Sequence, residues 1–143
     1  MENSSAMVLI VDDDYLVRAL LALLVKGIGL TSIEVAGGRE ALGILKKREM
    51  RPGLIICEWS MPEMDGLELL RAYKQDGALR DIPFIMIDGQ GGLEVRMLEA
   101  SEAGADAYLK KPFFPEELEA TVTRITGLRP IDSPFLIEGK HFS

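Results

Sequence analysis

The stretch "GLIICEWSMPEMDG" (residues 53–66) sets the apolar run Leu54, Ile55, Ile56 and Cys57 directly before an acid, Glu58. Trp59 and a turn built from Ser60, Met61, Pro62 and Asp65-Gly66 follow at once. A short continuous apolar run bounded by turn residues reads as a strand buried on both faces. This one ends on a carboxylate, and the use of that carboxylate depends on which residues share its end of the molecule.

The same reading extends outward. "MVLIV" (7–11), "TSIEV" (31–35), "GLIIC" (53–57), "PFIMI" (83–87) and "DAYLK" (106–110) are strand-like. Helical periodicity fills 14–27, 38–48, 66–76, 92–103 and 115–126. Gly27-Ile28-Gly29 and Gly104 close the first and fourth helices, and Pro115 opens the last, with Glu116, Glu117 and Glu119 near its positive end. Five βα units predict an α/β fold: a doubly wound five-stranded parallel sheet covered on both faces, its mixed second strand at an edge. In such sheets ligands bind outside the carboxyl ends of the strands. Asp12, Asp13 and Asp14 follow the first strand, Glu58 the third, Asp88 the fourth and Lys110-Lys111 the fifth.

Carboxylates gathered at one rim repel, and protonation, a bound cation or an internal ammonium relieves the repulsion. Lys111 is a candidate for that ammonium. Oxygen ligands without Cys or His suit Mg²⁺, Mn²⁺ or Ca²⁺ rather than zinc, and Mg²⁺ is commonly shared between carboxylates and phosphate. The rim suggests phosphoryl chemistry or its remains.

Composition narrows the field. The 143 residues are 48% hydrophobic and 27% charged, with net charge -7, which argues against direct nucleic-acid binding. No signal-like start or membrane-length apolar run is present, so the expected setting is cytoplasmic, without membrane contact. The single cysteine, Cys57, reads as buried packing. The one histidine, His141, lies near the chain end, too isolated for a His-based triad or metal site.

"VLIVDDDYLVRALL", "IICEWSMPEMDGLELL", "PFIMI" and "AGADAYLKKPFFPEEL" closely resemble the receiver domain of bacterial two-component response regulators, over residues 7–126 and in the same order and spacing. The resemblance implies a flavodoxin-like sheet of order 2-1-3-4-5. It implies Mg²⁺ held by Asp12 and Asp13, with Glu58 and the Ser60 carbonyl as further ligands. It places Glu58 at the phosphoacceptor position, Asp88 at the switch hydroxyl position, Lys111 before a cis-proline at Pro112, and Tyr108 at the rotating aromatic. The implied partners are a sensor histidine kinase and a phosphotransfer or effector protein in a two-component or phosphorelay pathway, with a second copy of the chain as a further candidate. The helix 4, strand 5 and helix 5 face is the implied output surface.

Two positions depart from that pattern. Glu58 stands where an aspartate is expected, and its extra methylene displaces the oxygens; misplacement by about 1 Å costs on the order of 10²-fold in a positioned reaction. Asp88 stands where a hydroxyl donates to the phosphoryl group, and an ionised carboxylate only accepts. The expectation is an atypical receiver acting as a protein-binding module rather than an enzyme. Either Glu58 reaches Lys111 and imitates the phosphorylated form, or Lys111 pairs with Asp88 and locks the switch. A conventional Mg²⁺-dependent acceptor and a metal-sensing flavodoxin-like domain stay open as alternatives.

"IDGQGGLE" (87–94) fits neither dinucleotide nor phosphate-loop spacing and reads as a flexible loop. In the first helix, Val17, Leu20, Leu21, Leu24 and Ile28 form the expected core stripe, with Leu16, Ala19 and Leu23 beside it and Arg18, Ala22 and Lys26 towards solvent. Leu16 and Leu23 are candidates for a partner surface. Residues 1–127 are assigned to the receiver domain and 128–143 to a C-terminal tail or linker.

Overall fold

The computed structural model describes residues 6–90 and 94–128. The tail after 128 and the glycines at 91 and 92 lie outside them. Strands β1 (Met7–Val11), β2 (Thr31–Val35), β3 (Leu54–Glu58), β4 (Phe84–Asp88) and β5 (Ala107–Lys110) form one parallel sheet of order β2-β1-β3-β4-β5. Helices α1 (Tyr15–Ile28), α2 (Gly38–Lys47), α3 (Gly66–Lys74), α4 (Glu94–Ala103) and α5 (Pro115–Thr126) alternate with them. Among the described residues no helix is long and apolar enough to cross a membrane.

The period of two along each strand divides the core. Leu9, Val11, Ile55, Cys57, Phe84 and Met86 face a cluster that includes Leu45 of α2, Leu69, Leu70 and Tyr73 of α3, and Ala100 of α4. Val8, Ile10, Leu54, Ile56, Ile85 and Ile87 face the other side, against Leu21, Leu24, Val25 and Ile28 of α1 and Leu118 and Val122 of α5. Every residue of β3 and β4 is buried, as both-face coverage requires, and each large apolar side chain so placed contributes roughly 1.5–3 kcal/mol. The Tyr73 ring is buried, and its hydroxyl donates to the Ile82 carbonyl oxygen at 2.7 Å.

The helix ends follow local chemistry. Asp14 caps α1, accepting from the amides of Leu16 at 2.9 Å and Val17 at 3.4 Å. Asp65 and Glu68 form a reciprocal capping box at α3. Gly29 ends α1 at φ 99°, a conformation that favours glycine. Gly66 is required by proximity: a Cβ there would stand 2.5 Å from the Glu58 carbonyl oxygen, so α3 can start tight against the end of β3.

The first helix departs from its predicted pattern. Leu20, expected in the core stripe, is 51% exposed, and Val25 is buried in its stead. Leu16 and Leu23 are 73% and 66% exposed. Arg18, expected in solvent, donates to the Asp12 carbonyl oxygen at 2.7 Å and faces Glu34 at 3.8 Å. Helical periodicity fixes an arc but not its phase, and here the buried arc is turned towards Val25.

Candidate functional site at the carboxyl ends of the strands

The register places the ends of β1, β3, β4 and β5 side by side. Val11 pairs with Cys57, Glu58 with Ile87, and Asp88 with Lys110. Glu58 and Asp88 are themselves the last residues of their strands, not the first residues after them. Their backbones are therefore held in the ladder while their side chains leave it at the rim.

Glu58 is 6% exposed, and its Oε1 lies 2.6 Å from Lys111 Nζ. The other oxygen, Oε2, accepts from the amides of Ser60 and Gly89, each at 3.3 Å. Lys111 also stands 3.7 Å from Asp12 Oδ2, so one ammonium bridges two buried acids from different strands. Burial opposes the charge on Lys111, but the Glu58 hydrogen bond and the charges of Glu58 and Asp12 outweigh it and lift its pKa above the ordinary lysine value. For Asp12 burial dominates and raises its carboxyl, against the lowering by the Asp14 amide and by Lys111. The Asp14 amide donates to Asp12 Oδ1 at 2.8 Å.

Asp88 takes different partners. Its side chain is fully buried, and Arg96 of α4 grips both oxygens, Nε to Oδ2 at 2.7 Å and a terminal nitrogen to Oδ1 at 3.1 Å. The Tyr108 hydroxyl donates to Oδ2 at 2.6 Å and the Gln90 amide to Oδ1 at 3.0 Å. Burial pushes the Asp88 carboxyl up, yet the bonds from Arg96, Tyr108 and Gln90 hold it below the usual carboxylate range. The Arg96 guanidinium lies 4.0 Å above the Trp59 ring, which meets Tyr108 edge-on at 6.4 Å.

Of the residues singled out in the sequence, Asp12, Glu58 and Lys111 come together in one ion cluster. Asp88 and Tyr108 come together in a second. Asp14 is diverted to capping α1, and Asp13 is exposed. The pairing of Lys111 with Asp88 is not the arrangement observed. Lys111-Pro112 is cis. Sequence reading missed Arg96 and the part played by Trp59. Their signal was a buried acid needing a cation, and Arg96 is the one basic residue in α4.

Among the described residues no three or more His, Cys, Asp or Glu side chains gather closely enough to hold a metal ion. A cation drawn to Asp12 and Asp13 would compete with the Lys111 ammonium for Glu58. Beside Lys111, an apolar cleft of about 470 Å³ runs between Leu20 and Leu24 of α1 and Phe113 and Pro115.

A sheet of this order with an acid at the end of β3, an acid after β1 and a lysine after β5 defines a receiver-type signalling domain. The family model for the response regulator receiver domain matches residues 8–123, and the chain belongs to that family. It is 35% identical over 135 residues to the phosphate regulon transcriptional regulatory protein PhoB of Pseudomonas aeruginosa, an alignment covering 92% of this chain and 58% of that protein. The chain thus spans about half to three-fifths of the length of the curated relatives it matches. The chemotaxis protein CheY4 of Vibrio cholerae superposes with TM-score 0.74 at 32% identity, covering 83% of this chain and 97% of that one. A signal receiver domain of a histidine kinase from Syntrophus aciditrophicus gives 0.76 at 33% identity, with 85% and 89% covered. Receiver domains are signalling modules of two-component systems rather than classical enzymes, and they generally bind Mg²⁺ at the acidic phosphorylation site.

Proposed function

We propose that this receiver domain works as a protein-binding module whose state is set by an internal ion pair rather than by phosphorylation. The observation that carries the reading is the 2.6 Å contact between Glu58 Oε1 and Lys111 Nζ. A phosphoryl group at this position would need Lys111 for its oxygens, and the longer acid already uses it. The Ser60 and Gly89 amides also point at Glu58, so three donors converge on one carboxylate. Beside it, Asp88 offers acceptors where a transferred phosphoryl group needs a donor.

The partners that fit are a sensor histidine kinase, a phosphotransfer protein or an effector. The exposed Leu16, Leu20 and Leu23 of α1 give such a partner a surface to meet. The acidic balance speaks only for these residues, and the longer relatives carry the name of transcriptional regulators.

Incubation with phosphoramidate or acetyl phosphate and Mg²⁺, followed by intact mass, tests the reading. The expected result is an unchanged mass. A gain of one phosphoryl group that is lost in Glu58→Gln would overturn it in favour of a conventional acceptor with Mg²⁺ on Asp12 and Asp13.

A further inference from the structure

The second ion cluster joins four elements through four side chains. Asp88 ends β4, Arg96 lies in the first turn of α4, Trp59 follows β3, and Tyr108 lies in β5. Arg96 reaches into this cluster with its fork closed on both Asp88 oxygens and its flat face on the Trp59 ring. A planar guanidinium used on its edge and on its face at once has little orientational freedom left. Asp88 in turn holds the Tyr108 hydroxyl at 2.6 Å, on the same oxygen that Arg96 Nε binds.

We propose that Arg96 is a positioning residue that turns the switch of this domain into a lock, fixing the α4 and β5 face by clamping Tyr108 through Asp88. This deepens the reading of a module with a fixed state and rests on it. A serine or threonine at position 88 offers one hydroxyl and forms no ion pair with α4. The carboxylate has two oxygens, enough to hold an arginine and a tyrosine together. The departure from the family pattern at Asp88 therefore does more than remove a donor: it supplies the anchor to which α4 is tied. The chemistry is specific to the fork, because a lysine at 96 would keep the charge but lose the second hydrogen bond and most of the stacking area.

The test compares the unaltered protein with Arg96→Ala and Arg96→Lys. Two readouts are taken: the ring resonances of Tyr108 in selectively labelled protein, and amide hydrogen exchange by segment. The expected result in both variants is a shifted or doubled Tyr108 signal and exchange in α4 about tenfold faster, with β1 and β3 unchanged. Unchanged Tyr108 and α4 signals in Arg96→Ala would overturn the proposal. So would a loss of protection spread equally over β1, which would make Arg96 an ordinary contributor to stability. Intact mass after phosphoramidate, taken on the unaltered protein, separates the two readings. A phosphoryl gain there would end the Glu58 account, whereas the Tyr108 and exchange data judge the clamp on their own.

Discussion

Lys111 and Glu58 meet at 2.6 Å across the ends of β3 and β5, with Asp12 of β1's exit at 3.7 Å on the same ammonium. Three chain segments distant in sequence are thereby held by one charge. The three groups leave a single net negative charge where two buried acids would otherwise repel. Removing one partner of a buried pair leaves an uncompensated charge, which costs far more than the pair itself contributes.

Restoring the acceptor takes two changes in this account. Glu58→Asp alone shortens the acid but leaves Asp88 as an acceptor-only neighbour, so phosphoramidate still adds no mass. Glu58→Asp with Asp88→Thr supplies both the shorter nucleophile and the donor hydroxyl, and a phosphorylated fraction appears. Full modification of the single variant would show that Asp88 is no obstacle.

Lys111→Ala strands Glu58 and Asp12 together in a buried site. Urea unfolding at pH 7 should show a loss of about 3 kcal/mol. Asp12, already raised by burial, loses the lowering by Lys111, so its charged form opposes folding more strongly, and the variant should recover stability as the pH falls from 7 to 5. In the unaltered protein Lys111 offsets part of that cost. Its pKa is raised, so the contribution of that lysine is complete below the ordinary lysine range and is lost only as pH climbs through the folded value. A variant that loses nothing at pH 7 would contradict the bridging role of the ammonium.

Asp88 contributes to the acid limb. Its folded value lies below the usual carboxylate range, so its contribution is complete above that range and disappears as pH falls through the folded value. Unfolding midpoints between pH 5 and pH 3 should therefore decline in the unaltered protein. Asp88→Asn, already without the charge, should start lower at pH 5 and decline less. Parallel curves for the two proteins would place the acid sensitivity elsewhere.

The sheet was legible in the sequence because three apolar runs and two mixed ones, punctuated by Asp, Gly and Pro and alternating with helical periodicity, leave little choice of period. β1 and β2 fall where expected, residue for residue. β3, β4 and β5 each start one residue later than the pattern predicts, and β3 and β4 include the acids expected after them. The reason is the ladder: the Trp59 amide donates to the Ile87 carbonyl oxygen at 2.8 Å, so pairing continues through Glu58 despite its charge. The site divides likewise. Asp12, Glu58 and Lys111 could be gathered on paper because strand ends converge in a parallel sheet. Arg96 was harder to find: a buried acid needs a cation and α4 has one basic residue, but a lone arginine early in an amphipathic helix reads as solvated until the packing of α4 beside β5 brings its fork to Asp88. Asp14 is expected only as part of the acidic rim, and its use as the α1 cap follows from its place just before the first helical residue.

The most direct check on the central claim is titration of the isotopically labelled protein with Mg²⁺ and beryllofluoride, a phosphoryl mimic, read at the amides of Gly89 and Lys111. With Glu58 already occupying the ammonium, those two resonances should stay in place at millimolar concentrations of both. A saturable shift of Gly89 and Lys111 to new positions would show that the acceptor site is open and that the ion pair does not set the state of this domain.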